Sequence, residues 1–124
     1  MSANQIHFFF SMRNQIKLYH WQTRSYSRHR ATDKVIESLD EHIDQFVEVY
    51  MGKYGRPKMT GKTATTTVSN LSEKTIVGFI KKCIEMLLGT CVKGLKEEVD
   101  SDLFNIRDEM LADLNQLLYL FTLH

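Results

Sequence analysis

The chain has little that breaks a helix and little that locks a fold covalently. One proline and six glycines punctuate 124 residues, which leaves room for long helices and argues against turn-rich β architectures. Two cysteines, Cys83 and Cys91, stand eight apart in a helical pattern. That is about 12 Å along a helix axis, beyond the reach of a mutual disulfide. A disulfide framework is therefore excluded, and two isolated thiols point to a reducing, cytoplasmic setting. No apolar run is long enough to span a bilayer; the tail from Leu114 to Leu123 holds Asn115 and Gln116. The Phe8-Phe9-Phe10 run follows no basic region and precedes no small-residue cleavage site, so no signal peptide is expected. Neither sign of charge dominates: the formal net charge is +1. No global field then draws in nucleic acid or an anionic membrane. The basic clusters Arg24, Arg28 and Arg30, and Lys53, Arg56, Lys58 and Lys62, read as solvated surface. Nucleophilic catalysis also lacks its parts. There is no glycine-rich phosphate loop, and neither cysteine sits in an electropositive motif at a helix start.

What is present is helical periodicity, enough for one domain over residues 1–124. A first helix is expected from about Asn4 to Arg24 and a second from Arg28 to Lys53. The second carries Val35, Ile36, Leu39, Ile43, Phe46, Val47 and Tyr50 at spacings of one, three and four. A third is expected from Asn70, where Asn70 and Glu73 have capping-box spacing, fading near Gly94. A fourth is expected from Ser101 to Leu123. The first pair and the last pair are joined by links of about four residues, which make antiparallel neighbours. The middle link, Tyr54 to Ser69, extends to roughly 50 Å, and the second helix is roughly 39 Å long. A crossover along the bundle is thus within reach, giving an all-α four-helix bundle ordered up-down-down-up. A simple up-down bundle with a loose loop is the alternative.

The second helix carries the candidate chemistry. His29 and Asp33 are four apart, and so are Asp44 and Glu48. Each pair occupies adjacent turns of one face. Asp33 and Asp44 are roughly 16 Å apart along the axis, too far for one ion within one chain. The numbers 29 and 48, like 33 and 44, share one midpoint, between Ser38 and Leu39. A second copy lying antiparallel about that point sets His29 against Glu48 and Asp33 against Asp44, building two equal nitrogen–oxygen sites. Glu37 and Asp40 fall in the same arc, with no lysine or arginine among the six groups. Carboxylates with imidazole suit iron, manganese or zinc. An ordinary solvated face is the other reading, although it mixes signs, since like charges four apart repel. His20 and Trp21 close the first helix across a short turn from His29, which makes His20 an extra nitrogen donor. His7, His42 and His124 have no partner spacing.

The pattern His20-Trp21, Tyr26-x-x-His29-x-x-x-Asp33 and Asp44-x-x-x-Glu48 resembles the signature of the Dps proteins, the mini-ferritins. The last segment, Asp102 to His124, is similar to that family's final helix. A small viral or phage relative of unassigned function is a nearer resemblance left open. The resemblance implies a ferritin-like bundle with iron bound between two-fold-related subunits and oxidised by peroxide or oxygen. It implies His20, His29 and Asp33 as ligands from one chain and Asp44 and Glu48 from the other, with Trp21 nearby. It implies a homodimer, or a larger cage. Three departures stand out. The turn between His20 and His29 is about three residues shorter than the family's and lacks glycine, which bears on the reach of His20. The crossover has no evident short helix. The N-terminus has no lysine-rich arm, so nucleic acid is not an expected partner. The competing function is a metal-free helical-bundle interaction protein. A nucleic-acid role for the Arg24–Arg30 cluster comes third.

Overall fold

The computed structural model describes residues 2–124, with side chains from residue 3 onward. Four α-helices make up the described residues, and no strand occurs among them: α1 (Ser2–Gln22), α2 (Tyr26–Tyr54), α3 (Thr75–Leu88) and α4 (Glu97–Leu120). Short 3-10 turns lie at Gly61–Ala64 and Thr90–Val92. The first is a short helical turn in the crossover that sequence reading does not foresee. The helices form a bundle around one apolar core. No described helix is long and apolar enough to cross a membrane.

The helix ends follow local chemistry. Ser25 caps α2, its hydroxyl accepting from the Arg28 amide at 3.3 Å, which satisfies an amide left unpaired at a helix start. Gly55 ends α2 at φ +88°, a conformation that costs glycine nothing, and its amide donates to the Met51 carbonyl. α3 starts at Thr75, later than Asn70. Ser72 and Thr75 exchange hydrogen bonds there, and Asn70 instead accepts from Gln22. α4 starts at Glu97, but its backbone breaks at Asp100 (φ −119°, ψ 26°), just before Ser101. Asp100 is buried and accepts from the Lys96 amide, Tyr54 hydroxyl and Lys53 ammonium. These bonds hold its carboxyl below the usual range, Tyr54 foremost.

Four ties set the order of ends. The three-residue turn 23–25 folds α2 back along α1. Lys53 donates to Val99 and Asp102, and Ser27 donates to Leu123, so α2 and α4 run antiparallel. The crossover runs the length of α1: His7 meets the Thr63 carbonyl, and the buried Gln15 amide bonds Ser69 twice at 2.8 Å. It ends at the α1–α2 turn, where Glu73 accepts from Tyr19 and Thr23, both at 2.7 Å. α3 then leads away to Cys91, whose carbonyl accepts from Gln5 near the start of α1. Arg28 gathers the turn end of the bundle. It donates to the Tyr19 hydroxyl and Glu73 carbonyl, pairs with the Glu73 carboxylate at 3.3 Å, and lies over the Phe121 ring at 4.4 Å. Burial pushes the Glu73 carboxyl up, but the hydroxyls of Thr23 and Tyr19 and the Arg28 charge outweigh it, so the net shift is downward.

The core stripe of α1 is Phe9, Met12, Ile16 and Tyr19, at spacings of three and four. It meets Val35, Ile36, Leu39, Phe46 and Tyr50 of α2, with Phe9 edge-on to Phe46 at 5.3 Å. Cys83 and Cys91 are buried, free and, by burial, pushed up to about 12, so neither is a reactive thiolate. Leu39 has no solvent exposure. Leu39→Ala is expected to cost about 2–5 kcal/mol through lost transfer energy and a residual cavity, measured as the drop in unfolding free energy by urea titration.

Candidate metal half-site on the second helix

The α1–α2 turn brings His20 and His29 face to face. Their rings stack with centroids 4.0 Å apart and planes 16° from parallel. Each ring is tied to the other residue's backbone: His20 Nδ1 to the His29 carbonyl and His29 Nδ1 to the His20 carbonyl, both at 2.9 Å. A carbonyl oxygen only accepts, so each Nδ1 carries the proton. In the neutral rings each Nε2 therefore presents a lone pair. This is the arrangement that orients ligating histidines, one nitrogen anchored and the other free for a metal. Thr32 reinforces it, accepting from His20 Nδ1 at 2.9 Å while donating to the Arg28 carbonyl at 2.8 Å.

His20 is 5% exposed. Burial and the neighbouring His29 depress its pKa, outweighing the opposing pull of the His29 carbonyl and Asp33. The neutral, ligating form is the one favoured at neutral pH. Its Nε2 lies 3.9 Å from Asp33 Oδ1. The short, glycine-free turn thus does not remove His20 from the candidate set; it packs His20 against His29 and beside Asp33. Trp21, by contrast, is 67% exposed, with Lys17 over its ring.

The remaining stripe is divided. Glu37, Asp44 and Glu48 are exposed and have no ion-pair partner among the described residues. Asp40 is clamped by Arg13 of α1 through two hydrogen bonds, at 3.0 and 3.3 Å. The single-sign face read from α2 alone is thus interrupted by a cation from the neighbouring helix. Among the described residues, no three histidine, cysteine, aspartate or glutamate side chains converge to hold a metal ion within one chain. His20 stacks on His29 and lies beside Asp33 without the three converging on one point, and Asp44 and Glu48 lie further along the helix.

Sequence reading missed a second polar cluster. His42 Nδ1 donates to Asp113 at 2.7 Å, and Ser38 donates to the other oxygen of the same carboxylate at 2.8 Å. Asp113 is buried. Ser38 and His42 are four apart, so they share a face of α2, but their partner is on α4, 71 residues from His42. Only the pairing of α2 with α4 reveals it.

Residues 20–121 match the model of a protein family described as a family of unknown function (DUF5856). The chain belongs to this family. The segment matched to DUF5856 opens at His20 and takes in all five candidate ligands. Over 37 residues the chain is also 46% identical to a protein of Enterobacteria phage T4, "Uncharacterized 14.6 kDa protein in mobD-ri intergenic region". That stretch covers 30% of this chain and 29% of the phage protein, so the chain matches less than a third of that relative's length. No solved structure matches this DUF5856 chain.

The buried, neutral His20 has a stability consequence. Its folded pKa lies below its unfolded value near 6.5, so the unfolded state binds the proton more readily. Its contribution is full above about pH 6.5 and is lost as pH falls through the depressed folded value. Urea midpoints compared at pH 7.5 and 5.5, above the range where Glu73 titrates, are expected to drop for the wild-type protein and to drop less for His20→Gln.

Proposed function

We propose that the chain is a ferritin-like bundle, ordered up-down-down-up, that takes Fe(II) as substrate at half-sites on α2 completed by a second copy. The observation that carries this reading is the pair His20 and His29, each anchored through Nδ1 with Nε2 left to donate, beside Asp33. Imidazole and carboxylate donors suit iron, and also zinc or manganese, although these three do not converge on one point within one chain. They fall short of a full shell, and Asp44 and Glu48 of an antiparallel α2 supply the missing oxygens.

The helix ends support the fold part of this reading, since the crossover returns the chain to the α1–α2 turn before α3 begins. Two features support the dimer. In the antiparallel register Glu37 faces the partner's Asp40, a repulsive meeting that Arg13 relieves from both sides. Next to the stripe, a groove between α1 and α2 mixes apolar residues (Ile6, Phe10, Ile43, Val47 and Met51) with Arg13, Asn14, Asp40 and Asp44, and Phe10 is 52% exposed. An exposed aromatic beside charged groups is compatible with a partner on this face.

In the reaction, each Fe(II) gives up one electron. Two electrons and two protons convert one peroxide into two waters. The chain's part is to hold the ion with carboxylates, which favour Fe(III) by charge, and with neutral imidazoles. The buried thiols Cys83 and Cys91 fit a reducing compartment such as the cytoplasm. A second reading keeps the bundle without metal chemistry. There, the same acidic and apolar face docks another protein, a reading compatible with the lack, among the described residues, of three converging ligands within one chain.

Anaerobic Fe(II) titration followed by peroxide, read by near-ultraviolet absorbance, separates the two. The iron reading expects saturable binding near one site per chain, weakened at least tenfold in both His29→Ala and Glu48→Ala. Wild-type protein that binds no Fe(II) while forming a defined complex by native mass spectrometry supports the docking reading.

A further inference from the structure

We infer that the α2–α4 seam carries a second, separate site for a transition-metal ion, held between His42 and Glu109 with Asp113 and Ser38 as its support. The site lies toward α4 and shares no residue with the half-site of His20, His29 and Asp33, so it stands independently of the iron reading.

Asp113 is buried, at 8% exposure, and a buried carboxylate is costly unless its oxygens are bonded. Both are bonded: Oδ1 accepts from Ser38 at 2.8 Å and Oδ2 from His42 Nδ1 at 2.7 Å. The His42 ring is thereby fixed in orientation, with the proton on Nδ1 and the Nε2 lone pair turned away from Asp113. A carboxylate behind an imidazole in this way is the common support of a metal-ligating histidine, fixing its tautomer and ring orientation. Beyond Nε2 lies Glu109 Oε2, 3.9 Å away. That gap is too long for a hydrogen bond. Two ligands on one tetrahedral zinc ion, with bonds of about 2.0–2.1 Å, stand about 3.4 Å apart. The Glu109 side chain is 65% exposed, free to close the difference. His42 is 19% exposed at its side chain, so Nε2 is reachable while the ring is held.

The ligand class is a borderline divalent ion, zinc above all, since one imidazole and one carboxylate suit it better than calcium or magnesium. Two protein donors leave the other positions to water, so the site is a surface-accessible one of moderate affinity.

Zinc chloride titrated into the full chain, followed through imidazole carbon–proton NMR signals, tests this directly. His20, His29 and His42 report separately, so the two sites are distinguished in one experiment. The expected result is a saturable shift of the His42 signals, at least tenfold weaker in Glu109→Gln, and retained in His29→Ala. Because Glu109 is exposed, its variant keeps the fold, which the unchanged Leu39 and Phe46 signals verify. His42 signals that stay in place at saturating zinc, or that shift equally well in Glu109→Gln, overturn the inference.

Discussion

A three-residue turn decides how the first two helices of this molecule meet. Residues 23–25 are too few to let α1 and α2 splay, so the end of one helix is pressed against the start of the next. His20 and His29 meet there, each ring bonded to the other's carbonyl; the His20 carbonyl, in the last turn of α1, is one that a helix end leaves without a helical partner. One geometry therefore closes the turn, buries an imidazole in its neutral form and leaves two nitrogens free to donate. Arg28 fastens the same end to the crossover and to Phe121, so the cluster is built on a rigid junction and not on a loose loop.

The opposite faces of α2 divide the work. One face buries Leu39, Phe46 and Tyr50 and fixes the helix in the core. The flank toward α1 holds the acidic stripe, and the flank toward α4 holds the Ser38–His42–Asp113 cluster. Charge on the first flank is balanced at its middle, where Arg13 takes Asp40, and left unbalanced toward its ends, where Asp33, Asp44 and Glu48 stand. The proposed half-sites rest on this uneven distribution. Affinity for a cation rises where carboxylates lack a fixed partner, and a fixed arginine lowers it.

Much of this was legible in the residues. The spacing of Val35, Leu39, Phe46 and Tyr50 gave α2 and its buried face, and the middle link was long enough to run the bundle's length. Four-residue spacing alone placed His29 and Asp33 on one face of α2, while the contact that Asp33 makes, with His20, was not legible from it. Other features were not legible because they depend on partners distant in sequence. Asn70 and Glu73 have capping-box spacing, yet Glu73 is taken by Tyr19 and Thr23, and the hydroxyls of Ser72 and Thr75 pair beside it. Asp40 looked like one more free carboxylate until α1 brought Arg13 across. His42 had no neighbour at helical spacing, since Asp113 reaches it from another helix. The short turn counted against His20 in a comparison of lengths, but its stacking on His29 is a matter of how two helix ends face each other. Periodicity reports a residue's own helix and is silent about the helix beside it.

The most direct test asks whether a site is shared between two chains. His29→Ala and Glu48→Ala variants, purified separately, are mixed, dissociated and reassociated, and Fe(II) binding is measured on the mixture against each variant alone. Sites built across an antiparallel pair of α2 helices predict recovery, with each mixed dimer regaining one of its two sites, since one chain supplies an intact His29 and the other an intact Glu48. Verified mixed dimers that bind no more Fe(II) than the parent variants would contradict the account.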